Sequence, residues 1–284
     1  MLISRSAGEV FMAVITISRE LAALGDETAH ELASQLNYRL VDKSALEERI
    51  KSYGVPGKKI LKYDEKKPSF LASLSQDRDD YLHFLKSAIL AEAAEGNAIL
   101  VGRGAGIILK NVPGAFSLFL AAPSEIRIER VKSYFHCDDK RAQHIIEQSD
   151  HDREGFHRYF FDVKWKEPGN YHLVLNTGHL HPAVCAEMVR CMRDRTMTEE
   201  METQTTQRIK ELLLAQQIIH HILFEREIPI HFLEASVSKG QIFLYGVANA
   251  QSLIEAAVLS AKELSPDTSI QSEIQVVQDY SVMP

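Results

Sequence analysis

With 284 residues, 45% of them hydrophobic and 25% charged, the chain is long enough for one large domain and a small one, each with its own core. Its formal charge of -7 disfavours nonspecific binding to a polyanion such as nucleic acid. Cys137, Cys185 and Cys191 have no CxxC spacing and indicate neither a disulfide framework nor a structural zinc site. No apolar run approaches the roughly 20 residues of a membrane helix. The expectation is a cytoplasmic protein without membrane insertion.

Residues 1–12 lack the layout of an export signal and are read as an N-terminal tail. Ala13–Ser18 (AVITIS) is a β-rich apolar run, and Asp26–Leu36 follows with Ala29, Leu32, Ala33 and Leu36 at helical spacing. Tyr38–Val41 predicts a second strand, Lys43–Ser52 a helix, Gly54–Pro68 a loop and Asp77–Glu95 a long helix. Ala98–Gly102 and Ala115–Ala121 are near-continuous apolar runs, as expected of parallel strands buried on both faces. Charged helices follow at Ser124–Tyr134 and Asp138–Phe156, then a strand at Tyr171–Asn176 and a helix at Pro182–Arg195. Five strands with crossover helices predict an α/β fold, a doubly wound parallel five-stranded sheet.

Thr196–Thr206 (TMTEEMETQTT) is polar and nearly free of large apolar residues, which places a linker at 196–206 between domains 13–195 and 207–284. From Gln207 the pattern is helix, strand His231–Ser238, turn Lys239–Gly240, strand Gln241–Gly246, helix Ala250–Leu264 and strand Ser269–Val277. This αββαβ order, with VSKGQIFLYGVANAQSLIEAAVLSAKEL, resembles a BON domain in its hairpin, its glycine and its following helix. That resemblance implies a small interaction module with a protein or small-ligand partner and no catalytic apparatus.

A strand ending at Ser18, a short loop and a helix beginning near Asp26 is the geometry in which helix N-terminal amides face a phosphate. The standard loop, GxxxxGK[ST], adds a lysine for the β/γ-phosphates and a hydroxyl for Mg²⁺. With Gly25 as its second glycine, Glu20 takes the place of the first, Asp26 that of the lysine and Glu27 that of the hydroxyl, while Thr28 falls one residue late. On the residues alone this is a poor phosphate site. The stretch ITISRELAALGDETAHELASQLNYRLVD nevertheless resembles the opening of the cytidylate-kinase-like family of P-loop phosphotransferases, which also lacks the usual lysine. That resemblance implies that Ser18, Arg19, Glu20, Gly25 and Thr28 hold ATP phosphates. Ala22 stands where the family usually has glycine, so restoring glycine is expected to tighten nucleotide binding and to lower stability.

AILVGRGAGIIL is similar to the family's strand-plus-GRGA element, which implies that Arg103 faces a monophosphate substrate; a solvated arginine in a glycine-rich turn is the alternative. Asp42, at a strand's carboxyl end, either orients a ribose, base or Mg²⁺ or caps the following helix. APSEIRIERVKSYFHCDDKRAQHIIEQSDHDREGFHRYFF resembles the family's lid, with Asp150 and Arg153 as its DxxR element. Arg127 and Arg130, at i and i+3 on one helix face, together with Arg153, are then the residues implied to neutralise the transferred phosphoryl group; salt bridges on a surface helix are the alternative. YHLVLNTGHLHP resembles the last strand, with the Asn176–Thr177 turn near the donor's adenine. His179, His181 and the His220–His221 pair lack the spacing of a transition-metal site, and none is expected. The family implies transfer of a phosphoryl group from Mg-ATP to a nucleoside monophosphate, CMP or dCMP. The rival expectation, favoured by Ala22, Asp26 and Glu27, is a degenerate nucleotide sensor that signals through the BON-like module.

Overall fold

The computed structural model describes residues 13–55 and 77–277. The predicted tail and most of the predicted Gly54–Pro68 loop lie outside these residues. The chain divides into two compact units, Met1–Thr206 and Gln207–Pro284.

In the first unit the apolar runs become strands β1 (Val14–Arg19), β2 (Arg39–Val41), β3 (Ala98–Val101), β4 (Ala115–Ala121) and β5 (Leu173–Asn176) of one parallel sheet, ordered β2-β3-β1-β4-β5. β1 is central, with Val14 opposite Ala98 on one side and Ala115 on the other. It is buried on both faces, as are β3 and β4, which explains why those runs carry no alternation. The helices are α1 (Gly25–Leu36), α2 (Lys43–Ser52), α3 (Asp77–Ala94), the short α4 (Ala105–Ile108), α5 (Ser124–Phe135), α6 (Asp139–Phe161) and α7 (Pro182–Thr196). α1 buries Ala29, Leu32 and Leu36 and packs on α7, so its apolar stripe closes one face of the core. α6 runs past the predicted Phe156 end and brings Phe160 and Phe161 into an aromatic cluster with Phe156 and His157.

The stretch predicted as a linker is helical, because α8 (Glu199–His220) begins within it. Its threonines owe their place to hydrogen bonding: Thr203, Thr205 and Thr206 each donate to the carbonyl four residues back. Thr205 is fully buried and accepts from the Gly114 amide at 2.8 Å, and Met197 is buried in the core of the first unit.

In the second unit a π-helical turn (His221–Glu225) ends α8, and β6 (His231–Ser238), β7 (Gln241–Ala248), α9 (Gln251–Leu264) and β8 (Ser269–Val276) follow. β6 and β7 form the antiparallel hairpin, and β8 joins β7 in parallel through α9. The glycine of the predicted pattern has a clear cause. A Cβ on Gly246 would lie 2.8 Å from Ile230 Cγ2 and 3.0 Å from the His231 carbonyl, beside the bulge between His231 and Glu234.

The His221 imidazole bridges the turn to α9. Nδ1 lies 2.6 Å from Glu225 Oε2 and Nε2 3.0 Å from Glu263 Oε2, so both nitrogens donate only in the protonated ring. Burial disfavours that charge, but the two carboxylates outweigh burial and the repelling Arg226, and the pKa is raised above its ordinary 6.5. Neighbouring His220 is shifted the other way, chiefly by burial. A raised folded pKa gives stability that is complete below the unfolded value, about 6.5, and lost as pH climbs through the folded value. Amide exchange in β6–β8 and α9 is therefore expected to quicken over that rise in wild type, while the difference between wild type and His221→Gln shrinks toward alkaline pH. A pH-independent difference contradicts the bridge.

No helix among the described residues is long and apolar enough to cross a membrane.

Candidate functional site

β1 and β4 are neighbours whose connections leave in opposite directions, so their carboxyl ends mark the crevice where doubly wound sheets bind ligands. Residues 20–24 cross it. Ala22 and Leu24 hold left-handed φ values of 59° and 53°, on either side of Ala23, an alternation that turns successive amides toward one concave face. Each carbonyl of residues 21–24 is tied down by a side chain. Leu21 O accepts from Arg127 Nε at 2.8 Å, Ala22 O from Arg130 Nη1 at 2.9 Å, Ala23 O from Thr177 Oγ1 at 3.1 Å and Leu24 O from Thr28 Oγ1 at 2.7 Å. No backbone carbonyl among the described residues accepts from the amides of Leu24, Gly25, Asp26 or Glu27, which leaves four donors at the start of α1. Gly25 is obligatory here, since a Cβ would sit 2.5 Å from Arg19 Cγ.

Non-glycine residues in the left-handed region cost about 1–2 kcal/mol each and persist where surrounding contacts enforce them. The positive φ at Ala22 reverses the stability expected of glycine there. Relief of that strain offsets the roughly 0.5–1 kcal/mol entropic cost of glycine, so Ala22→Gly is expected to hold or raise stability by up to about 1 kcal/mol. A loss of more than about 1 kcal/mol in urea unfolding contradicts the loop geometry.

Beside the loop lies an ion cluster. Arg127, buried on α5, reaches Glu20 Oε2 at 3.2 Å and Asp150 Oδ2 at 2.7 Å. Lys166 Nζ bridges the same two acids, at 2.6 Å from Glu20 Oε1 and 3.2 Å from Asp150 Oδ2. Asp150 Oδ1 accepts the Leu21 amide at 3.1 Å, and Glu20 Oε2 accepts the Ala122 amide at 3.3 Å. Burial disfavours the Lys166 ammonium, but Glu20 and Asp150 outweigh it and its pKa is raised. Arg130 lies higher on α5; its Nη2 donates to Thr177 O at 2.7 Å. Burial pulls its pKa down, with Glu27 opposing. Beside it, a shallow depression of about 450 Å³ is lined by Glu125, Ile126, Glu129, Arg130 and Ser133.

The structure thus gathers Ser18, Arg19, Glu20, Gly25, Thr28, Arg127 and Arg130 at one end of the sheet. Ser18 opposes burial in setting the pKa of Tyr171, which is pushed up to about 12. Arg19 Nε lies 4.0 Å from Asp26. The other predicted residues have different company. Arg103 is 1% exposed and donates to Tyr81 Oη at 2.8 Å and Glu47 Oε1 at 2.7 Å, from a residue with φ 54°. Asp42 caps α2, accepting from the Ala45 amide at 2.9 Å. Arg153 donates to Ser149 Oγ on its own helix at 2.6 Å. His181 caps α7 through a 3.4 Å bond from the Ala183 amide. Among the described residues, no group of three or more His, Cys, Asp or Glu is arranged to hold a metal.

Lys166 carries no sequence signal, because its carboxylate partners lie 146 and 16 residues away. Thr177, read only as part of a turn near adenine, is buried and ties Arg130 to the loop.

No curated protein matches the chain. A crystal structure of an uncharacterized protein from Eubacterium ventriosum superposes with TM-score 0.51 at 22% identity, over 64% of this chain and 98% of that one, which shows the shared fold. A sugar kinase from Janibacter sp. aligns at TM-score 0.40 and 15% identity over 64% and 95% of the two chains. Shikimate kinase from Bacteroides thetaiotaomicron aligns at 0.36 and 17% over 71% and 98%. The BON domain profile matches residues 210–278. The profile of the cytidylate kinase-like family matches residues 14–179, more than half of the chain, and the protein belongs to that family.

Proposed function

We propose that the first unit is an ATP-dependent phosphotransferase that binds the donor's phosphates on the Ser18–Thr28 loop and transfers the terminal phosphoryl group to a nucleoside monophosphate of the CMP or dCMP class. The observation that carries this reading is the four amides at residues 24–27, from which no backbone carbonyl among the described residues accepts, beside loop carbonyls at 21–24 that are each held by a side chain. Arg130, which lines the depression on α5, steadies the loop through the Ala22 and Thr177 carbonyls. Arg127 acts through the loop, holding the Leu21 carbonyl and the carboxylates of Glu20 and Asp150.

Mg²⁺ accompanying ATP would screen phosphate charge. Thr28 does not fit the hydroxyl role, because its Oγ1 is buried and donates to Leu24 O; exposed Glu27, at the position where that hydroxyl stands in the standard loop, is the polar group at hand.

A second reading, a nucleotide sensor reporting through the BON domain, draws on the engagement of Arg103, Arg127 and Arg153 with the protein's own groups. Coupled ADP-release assays with Mg-ATP and each nucleoside monophosphate separate the two. Acceptor-dependent ADP release supports the kinase, and saturable ATP binding without release supports the sensor.

A further inference from the structure

The loop of this protein puts an acid, Asp26, where the standard phosphate loop has lysine, and that side chain is 76% exposed. If the loop binds a nucleoside triphosphate, as proposed above, the charge of the terminal phosphate needs a cation from another element. Three arginines near the loop are committed to the protein's own groups. Arg127 has its Nε on Leu21 O and its two terminal nitrogens on Glu20 and Asp150, with 6% of its side chain exposed. Arg130 has both terminal nitrogens on main-chain carbonyls of Ala22 and Thr177. Arg153 is bonded within its own helix.

Lys166 has three N–H donors, of which two meet Glu20 and Asp150, and 47% of its side chain is exposed. Its backbone is fixed: Trp165, next in the chain, is buried with its ring edge-on to Phe119 of β4 at 5.5 Å, and its carbonyl accepts the Tyr171 hydroxyl at 2.6 Å. Asp150 links the ammonium directly to the loop, taking Lys166 on Oδ2 and the Leu21 amide on Oδ1.

We propose that Lys166, from the connection between α6 and β5, supplies the ammonium that contacts the terminal phosphate of the donor nucleotide, in place of the lysine missing from the loop. Glu20 and Asp150 position it and keep it charged. Because its stem and two of its hydrogen bonds are fixed before the ligand arrives, little ordering is needed on binding.

Titration calorimetry of the full chain with ATP and with ADP tests this, since only ATP carries the third phosphate. Lys166→Met is expected to weaken ATP about tenfold or more, the range for a charged hydrogen bond, with ADP changed less than about twofold; Lys166→Arg is expected to restore most of the loss. Equal loss for both nucleotides, or no loss for ATP, overturns the proposal while leaving the phosphate loop standing. Wild type that binds neither nucleotide overturns the loop reading and the proposal together. Should Lys166→Met lose its fold by circular dichroism, Lys166→Gln, which keeps a polar side chain but removes the charge, carries the test, and an ATP-to-ADP affinity ratio identical to wild type then counts against the proposal.

Discussion

Arg127→Ala is expected to cost the first unit about 3–5 kcal/mol of stability, the range for removing one partner of a buried ion pair. The side chains of Glu20 and Asp150 are 10% and 12% exposed, and without the guanidinium they would share Lys166 alone. The Leu21 carbonyl would lose its donor as well. Trp165 is the only tryptophan in the chain and sits in the first unit, so its fluorescence in urea follows that unit regardless of how the BON domain unfolds. The outcome decides what kind of residue Arg127 is. If it instead touched the transferred phosphoryl group, as its position in the lid implies by family resemblance, turnover would collapse while the urea midpoint stayed near wild type.

The second large effect is expected at Gly104. A Cβ there would lie 2.3 Å from Cε2 of Phe161, and the backbone holds φ 71°. Phe161 is confined by Phe156, Phe160 and His157, so its ring has little room to retreat. Overpacking of about 1–3 kcal/mol and left-handed strain of about 1–2 kcal/mol act together, which predicts a loss of about 2–5 kcal/mol for Gly104→Ala. Gly54→Ala is the control: its φ is 84°, yet no atom of the described residues lies within 4 Å of the added Cβ, so the backbone strain is the expected cost. Equal losses at the two positions would show that Phe161 yields.

The strands were legible in the sequence because burial on both faces writes itself as an unbroken apolar run, as in Ala98–Val101 and Ala115–Ala121. The loop's place was legible too, since strand, short loop and helix follow within a few residues. What the sequence hid depends on distant partners. Arg103 sits among glycines and looks aimed at a ligand, but Tyr81 and Glu47, 22 and 56 residues away, draw it into the interior. Asp42 offered two roles, and the local one, capping α2, is the one the structure displays. The threonine-rich stretch at 196–206 looked like a linker by composition, because hydroxyls that bond within a helix cannot be told from solvated ones in a sequence. Lys166 was invisible for the same reason as the Arg103 contacts: its meaning lies in acids contributed by other elements.

If residues 20–28 form a phosphate-binding loop, equilibrium titration of Mg-ATP into wild type and Ala22→Gly reveals it most directly. Glycine at position 22 relieves the strain of a turn already in the left-handed region and lets its backbone adjust around a phosphate. Saturable binding by wild type, tightened several-fold in Ala22→Gly without loss of stability, is the predicted result; no detectable binding by either protein would contradict it.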